Sequence, residues 1–174
     1  MILALSPIFL LTSIIQILIG VPPFFKQFRP GRNGQLFKMY KFTSFQVEGD
    51  INSMTRFGKF LRKTSVDELP QLLNVLRGEM SIVGPRPLLK EYLPRYTISQ
   101  RARHQVKPGI TGLAQINGRN ALPWKASLQL DVEYVKRISF SLDFKIIIKT
   151  IFNLFHSKKI DKSRDIQREE FFGE

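Results

Sequence analysis

Residues 1–25, MILALSPIFLLTSIIQILIGVPPFF, carry no charged side chain. A buried helix of a soluble protein is the plainer reading, but about 20 apolar residues is the length that spans a bilayer core. A signal peptide needs a basic start and a small-residue cleavage site, and neither is present. Pro7 has no N–H to donate and its ring obstructs the preceding turn, so Ser6-Pro7 reads as a bend. A bent helix enters the bilayer and returns to the same face if the backbone groups freed at the bend are satisfied. Residues 1–22 are therefore expected as a bent, membrane-inserted helix that can return to the face it entered.

Outward from this stretch the charge changes abruptly. Lys26, Arg29, Arg32, Lys38, Lys41, Arg56, Lys59, Arg62 and Lys63 face only Glu48 and Asp50 before residue 64, and eight of the 15 Phe fall in the same region. Aromatic and basic side chains directly after an apolar run suit a membrane–water interface, and the positive flank belongs on the cytoplasmic side. A globular domain over residues 23–156 is thus expected on the anionic lipids of the inner leaflet, with a loose charged tail over 157–174. Nucleic acid is the rival partner for basic, aromatic sequence, but it gives no reason for 25 uncharged residues, so no nucleic acid is expected.

The whole chain of 174 residues holds 27 Lys plus Arg, 14 Asp plus Glu and no Cys, for a net charge of +13. That size suits one domain, and the charge suits an anionic partner. Lack of Cys excludes a disulfide scaffold, a thiol nucleophile and Cys-ligated metal. Two histidines, His104 and His156, argue against a multi-histidine metal centre.

The remaining pattern predicts an α+β fold, mostly helical. Gln35 to Phe42 alternates as a strand, and 43–55 reads as a polar loop. Thr55 to Lys63 reads as a basic amphipathic helix weakened by Gly58. Leu69, Leu72, Leu73 and Leu76 form one helical stripe, stopped by Arg77-Gly78. Glu91 to Arg103 and Ser127 to Ile138 read as helices, and 108–120 as Gly-rich and irregular with a candidate short strand. Phe144, Ile147, Ile148, Ile151, Phe152 and Phe155 form an apolar stripe, either a core face or an interfacial one.

The stretch richest in chemistry is Arg62-Lys63-Thr64-Ser65-Val66-Asp67-Glu68-Leu69-Pro70. Either Asp67 caps the helix that contains Pro70, or Ser65 and Glu68 form a capping box. Acids at a helix start also complement its dipole, which accounts for them without function. The functional alternative is that adjacent carboxylates in a base-rich chain hold Mg²⁺ or attack phosphorus as a nucleophile. Gly84-Pro85-Arg86-Pro87 places one guanidinium between two prolines, a mount suited to a bidentate phosphate contact; a surface salt bridge is the plain alternative.

With these motifs in view, the chain resembles the bacterial sugar transferases, the small monotopic phosphoglycosyl transferases. The likeness runs through Ser6-Pro7, Gln27 to Gly31, Tyr40 to Phe42, Arg62 to Pro87, Pro108 to Asn120, and Leu130 to Val135. It implies a re-entrant helix beneath an α+β catalytic domain with interfacial helices, at the bacterial inner membrane and facing the cytoplasm. The implied reaction moves sugar-1-phosphate from a UDP-sugar to polyprenyl phosphate, releasing UMP. Asp67 matches the nucleophile that forms a phosphosugar–aspartyl intermediate, Glu68 its partner, and both match the Mg²⁺ site. Arg86 matches a phosphate-binding arginine, Lys41 and Arg62 substrate-binding bases near the dyad, and Asp131 a further acid of the substrate site. Reaching mid-bilayer takes about ten residues at about 1.5 Å each, and five precede Ser6. A shortened first limb is therefore expected, and a non-catalytic membrane scaffold is the alternative function.

Overall fold

The computed structural model describes residues 2–45, 54–155 and 169–173. The architecture is α+β and mostly helical. The chain divides into two compact units, Met1–Gln27 with Met39–Asn74, and Phe28–Lys38 with Val75–Glu174.

In the first unit, helix α1 (Ile2–Leu18) keeps Pro7 inside one helical span. Its inward face is partly polar. Thr12 and Gln16 are buried, the Gln16 Nε2 amide donates to the Thr43 carbonyl at 2.7 Å, and Phe9 meets Phe42 edge-on at 5.4 Å. Ile8, Leu10, Leu11, Ile14, Ile17 and Leu18 are exposed instead. No helix among the described residues is long and apolar enough to cross a membrane. Strands β1 (Phe24–Pro30) and β2 (Leu36–Phe42), whose residues 28–30 and 36–38 count with the second unit, pair in a two-stranded sheet. Alternation along β2 buries Phe37 and Met39, as its sequence predicts, while Phe42 at the strand end is buried out of that phase.

Helix α2 (Arg56–Thr64) is capped by the Thr55 hydroxyl, which accepts from the Gly58 amide at 2.8 Å. Leu61 is buried while Arg56, Lys59, Arg62 and Lys63 stay exposed. Gly58 is not a weakness: a Cβ there would lie 2.0 Å from the Ser44 carbonyl oxygen, so glycine permits the close backbone approach. The leucine stripe that follows is buried only in part: Leu72 is buried, Leu69 and Leu73 are half-buried and Leu76 is exposed. Helix α3 (Gln71–Leu76) begins after Pro70 and buries Gln71, Leu72 and Asn74, while Leu76 is 72% exposed. Asn74 is buried because its Oδ1 accepts the Tyr40 amide of β2 at 3.2 Å, a donor that needs a partner. Parts of the expected 43–55 loop, His156 and residues 157–168 lie outside the described residues.

In the second unit, β3 (Ser81–Val83) runs parallel to β4 (Gly109–Thr111), with Ser81 opposite Gly109 and Val83 opposite Thr111. A Cβ on Gly109 would sit 2.1 Å from the Gly84 nitrogen, so glycine is what lets the two segments touch. Around them stand α5 (Leu113–Ile116), α6 (Trp124–Arg137) and α7 (Phe140–Phe155). One core joins Val83, Ile116, Tyr134 and Ile146. On α7 the predicted stripe faces mostly outward, because Ile146 is the buried residue and Phe144, Ile148, Ile151 and Phe152 are exposed. Glu91 to Arg103 is not one helix. It is a 3-10 turn at Lys90–Arg95, then α4 (Ile98–Arg101), then a second 3-10 turn at Ala102–Gln105. Pro94 lacks an N–H, and Thr97 with Gln100 forms a capping box that starts a new helix.

A second core joins Tyr92, Tyr96, Leu128 and Phe171. Here the expectation of a loose tail fails for residues 169–173. Phe171 is buried against Tyr92, Tyr96 and Trp124 with ring centroids 5.6, 5.5 and 5.3 Å away. Trp124 Nε1 donates to the Glu169 carbonyl at 2.9 Å. Arg95 pairs with Glu170 at 2.7 Å and donates to the Phe171 carbonyl. One aromatic residue and two anchored carbonyls outweigh the charge around them.

Candidate active site

The first unit carries the carboxylate pair. Helix α2 ends at Ser65, whose φ of 59° is left-handed, and the chain then enters a 3-10 turn at Val66–Glu68. Asp67 therefore lies within a turn and not at a flanking cap position, and Ser65 makes no side-chain capping bond. Both predicted capping arrangements are thus corrected: left-handed Ser65 separates this turn from α2, and Leu69-Pro70 separates it from α3. Asp67 is buried, 7% exposed. Glu68 accepts from Lys41 Nζ of β2 at 2.8 Å, with each side chain 18% exposed. The structure thus brings Lys41 to the dyad as expected. The Arg62 guanidinium carbon lies over the Phe45 ring, 5.7 Å from the centroid.

Among the described residues no group of three or more His, Asp or Glu could cage a metal ion. Two adjacent carboxylates remain a suitable donor set for Mg²⁺, which is commonly held by one or two carboxylates and completed by substrate phosphate oxygens.

The second unit carries the basic centre. The loop Gly84 to Pro87 is stitched to the strand region by backbone bonds: Gly84 N–H to the Thr111 carbonyl at 2.9 Å, and Gly109 N–H to the Pro85 carbonyl at 3.0 Å. The Gly-rich 108–112 segment, irregular by sequence, thus mounts Arg86. A small concavity beside it is lined by Pro30, Gly31, Pro85, Arg86, Arg103 and His104. His104 Nδ1 lies 3.2 Å from the Gly31 carbonyl; since a carbonyl only accepts, Nδ1 carries the proton. Burial, then the charge of Arg103, lowers the His104 pKa to about 4, so its ring is neutral near pH 7. Burial, then the charge of Arg86, lowers that of Arg29 to about 10.

Asp131, expected as a further acid of the substrate site, lies within the second unit. It is 2% exposed, and its Oδ2 accepts from Arg103 Nε at 3.1 Å and Nη2 at 2.7 Å. Arg103, equally buried, also donates from Nη2 to the Arg86 carbonyl at 2.6 Å. Sequence reasoning missed Arg103, Arg29 and His104. Arg103 sits in Arg101-Ala102-Arg103-His104, which reads as a solvated basic face; nothing in that run distinguishes the one buried arginine.

The model of the family described as bacterial sugar transferase matches residues 1–157. The chain belongs to the bacterial sugar transferase family. Within that family it is 48% identical over 169 residues to the uncharacterized sugar transferase EpsL of Bacillus subtilis, covering 92% of this chain and 84% of that protein. It is 38% identical over 175 residues to the exopolysaccharide production protein ExoY of Sinorhizobium fredii, covering 86% of this chain and 77% of that protein. It is also 43% identical over 156 residues to the UDP-glucose:undecaprenyl-phosphate glucose-1-phosphate transferase of Xanthomonas campestris, covering 79% of this chain but 32% of that protein. The chain thus spans most of the shorter bacterial sugar transferases and about a third of the Xanthomonas one.

Proposed function

We propose that this chain is a phosphoglycosyl transferase that moves sugar-1-phosphate from a UDP-sugar to undecaprenyl phosphate, giving the polyprenyl-diphosphate sugar and UMP. The observation that carries the reading is the buried Asp67 beside a Glu68 held by Lys41, in a chain 43% identical to a protein named for that chemistry. A carboxylate oxygen of Asp67 forms a bond to the phosphorus that bears the sugar, and the bond from that phosphorus to the UMP oxygen breaks. UMP leaves with the bonding electrons. An oxygen of undecaprenyl phosphate then attacks the same phosphorus and frees Asp67. Lys41 holds Glu68 in place and offsets part of the negative charge that two anionic substrates bring. Asp67 and Glu68 would hold Mg²⁺, which would supply charge neutralisation at the donor diphosphate. Arg86 contacts phosphate oxygens, and the exposed Arg62 adds positive charge for substrate.

The same reading puts the protein at the bacterial inner membrane, facing the cytoplasm. Exposed Ile8, Leu10, Leu11, Ile14, Ile17 and Leu18 on α1, and Phe140, Phe144, Ile148 and Phe152 on α7, support a lipid contact. The basic, Phe-rich region after residue 25 supports binding to anionic headgroups.

Detergent-purified full chain, given Mg²⁺, undecaprenyl phosphate and a panel of UDP-sugars, is expected to release UMP from at least one donor. Chelation with EDTA should stop the release, and Asp67→Asn should abolish it. Release unchanged by Asp67→Asn would sink the nucleophile assignment. Flotation with phosphatidylglycerol vesicles tests the membrane assignment.

A further inference from the structure

The geometry points to Arg103 as a positioning residue that holds Arg86 in its phosphate-binding pose, with Asp131 as the clamp that orients Arg103. This inference rests on the reading of Arg86 as the residue that contacts donor phosphate. Pro85 and Pro87 have no N–H, so the loop around Arg86 offers mainly carbonyl oxygens for tethering. Two of these are tethered: the Pro85 carbonyl by the Gly109 amide at 3.0 Å, and the Arg86 carbonyl by Arg103 Nη2 at 2.6 Å. The first tether is backbone and survives substitution of other side chains. The second depends on one side chain.

That side chain is unusually constrained. Arg103 is 2% exposed, its Nε and Nη2 both reach Asp131 Oδ2, and the Tyr96 ring lies 5.6 Å from its guanidinium carbon. A buried ion pair is weak evidence for stability, because well-packed apolar residues of similar volume often serve as well. A planar guanidinium fixed by a carboxylate does something such residues cannot: it aims an N–H at the Arg86 carbonyl. Asp131 thus acts on substrate through two intermediaries, Arg103 and the Arg86 main chain.

The test is a double-mutant cycle between positions 103 and 86 on the full chain, read as donor KM and kcat for UMP release, with melting temperature as the control for folding. Arg103→Met combined with Asp131→Leu removes the tether without stranding a buried charge, and is expected to melt at or above the wild-type temperature. Its donor kcat/KM should fall about tenfold or more, mostly through KM, since a misplacement of about 1 Å can cost about 10²-fold. In an Arg86→Ala background the same change should cost less than about twofold, because the partner it positions is gone. Arg103→Lys, which keeps the charge but not the fork, gives a second arm of the cycle should the apolar pair fail to fold. A stable apolar pair with wild-type donor KM, or equal losses in both backgrounds, overturns the inference. A wild type that releases no UMP overturns the functional reading and this inference with it; an active wild type with additive losses overturns the inference alone.

Discussion

The Lys41–Glu68 and Arg103–Asp131 ion pairs, one in each unit, look alike in distance and differ in burial. Lys41 and Glu68 are 2.8 Å apart with 18% of each side chain exposed; Arg103 and Asp131 are 2.7 Å apart with 1% and 3% exposed. A partly solvated pair exchanges partners at small cost, because water replaces whichever contact is lost. An enclosed pair has no such reserve, and removal of one member leaves a stranded charge. The difference teaches which charges are available to a ligand. Glu68 and Lys41 can engage an incoming phosphate or metal ion; Asp131 and Arg103 are occupied with holding a loop.

Substitutions can break or sharpen that contrast. The largest effect is expected from Asp67→Asn, which should lower kcat for UMP release by about 10³-fold or more, as loss of a covalent nucleophile does. Next, Arg103→Ala should cost about 3–5 kcal/mol in urea unfolding by leaving Asp131 buried and unpaired. Phe171→Ala should cost about 3 kcal/mol by emptying the socket of Tyr92, Tyr96, Leu128 and Trp124. By contrast, Lys41→Met should cost under about 1 kcal/mol of stability while it lowers turnover. Equal destabilisation by Lys41→Met and Arg103→Ala would erase the distinction between the pairs. The smallest effect is pH-dependent. The folded His104 pKa of about 4 lies below the ordinary 6.5, so between these values the unfolded chain binds a proton that the folded chain does not. Stability should therefore fall as pH drops from about 6.5 to about 4, and His104→Asn should flatten that slope in melting curves.

Much of this was legible in the sequence because it depends on local rules. Alternation over Gln35 to Phe42 gave β2, and the basic amphipathic run Thr55 to Lys63 gave α2, although not Thr55 as its cap. The Asp67-Glu68 dyad and Arg86 stood out because acids are scarce and prolines flank the arginine. What sequence periodicity could not reveal depends on contacts distant along the chain. Asn74 is buried for a strand amide 34 positions earlier, and Arg103 for an aspartate 28 positions later. The α7 stripe shows a different limit: periodicity finds an apolar face without saying whether protein covers it. Phe171 shows a third, since two adjacent rings after a charged run have no period at all.

The docked segment 169–173 also has an optical consequence. The chain contains one tryptophan, Trp124, and that indole both packs against Phe171 and donates to the Glu169 carbonyl. Its intrinsic fluorescence therefore reports on this one junction, free of signal from any second indole. Release of the segment wets the ring and removes its hydrogen-bond acceptor, so emission should move to longer wavelength without any attached dye.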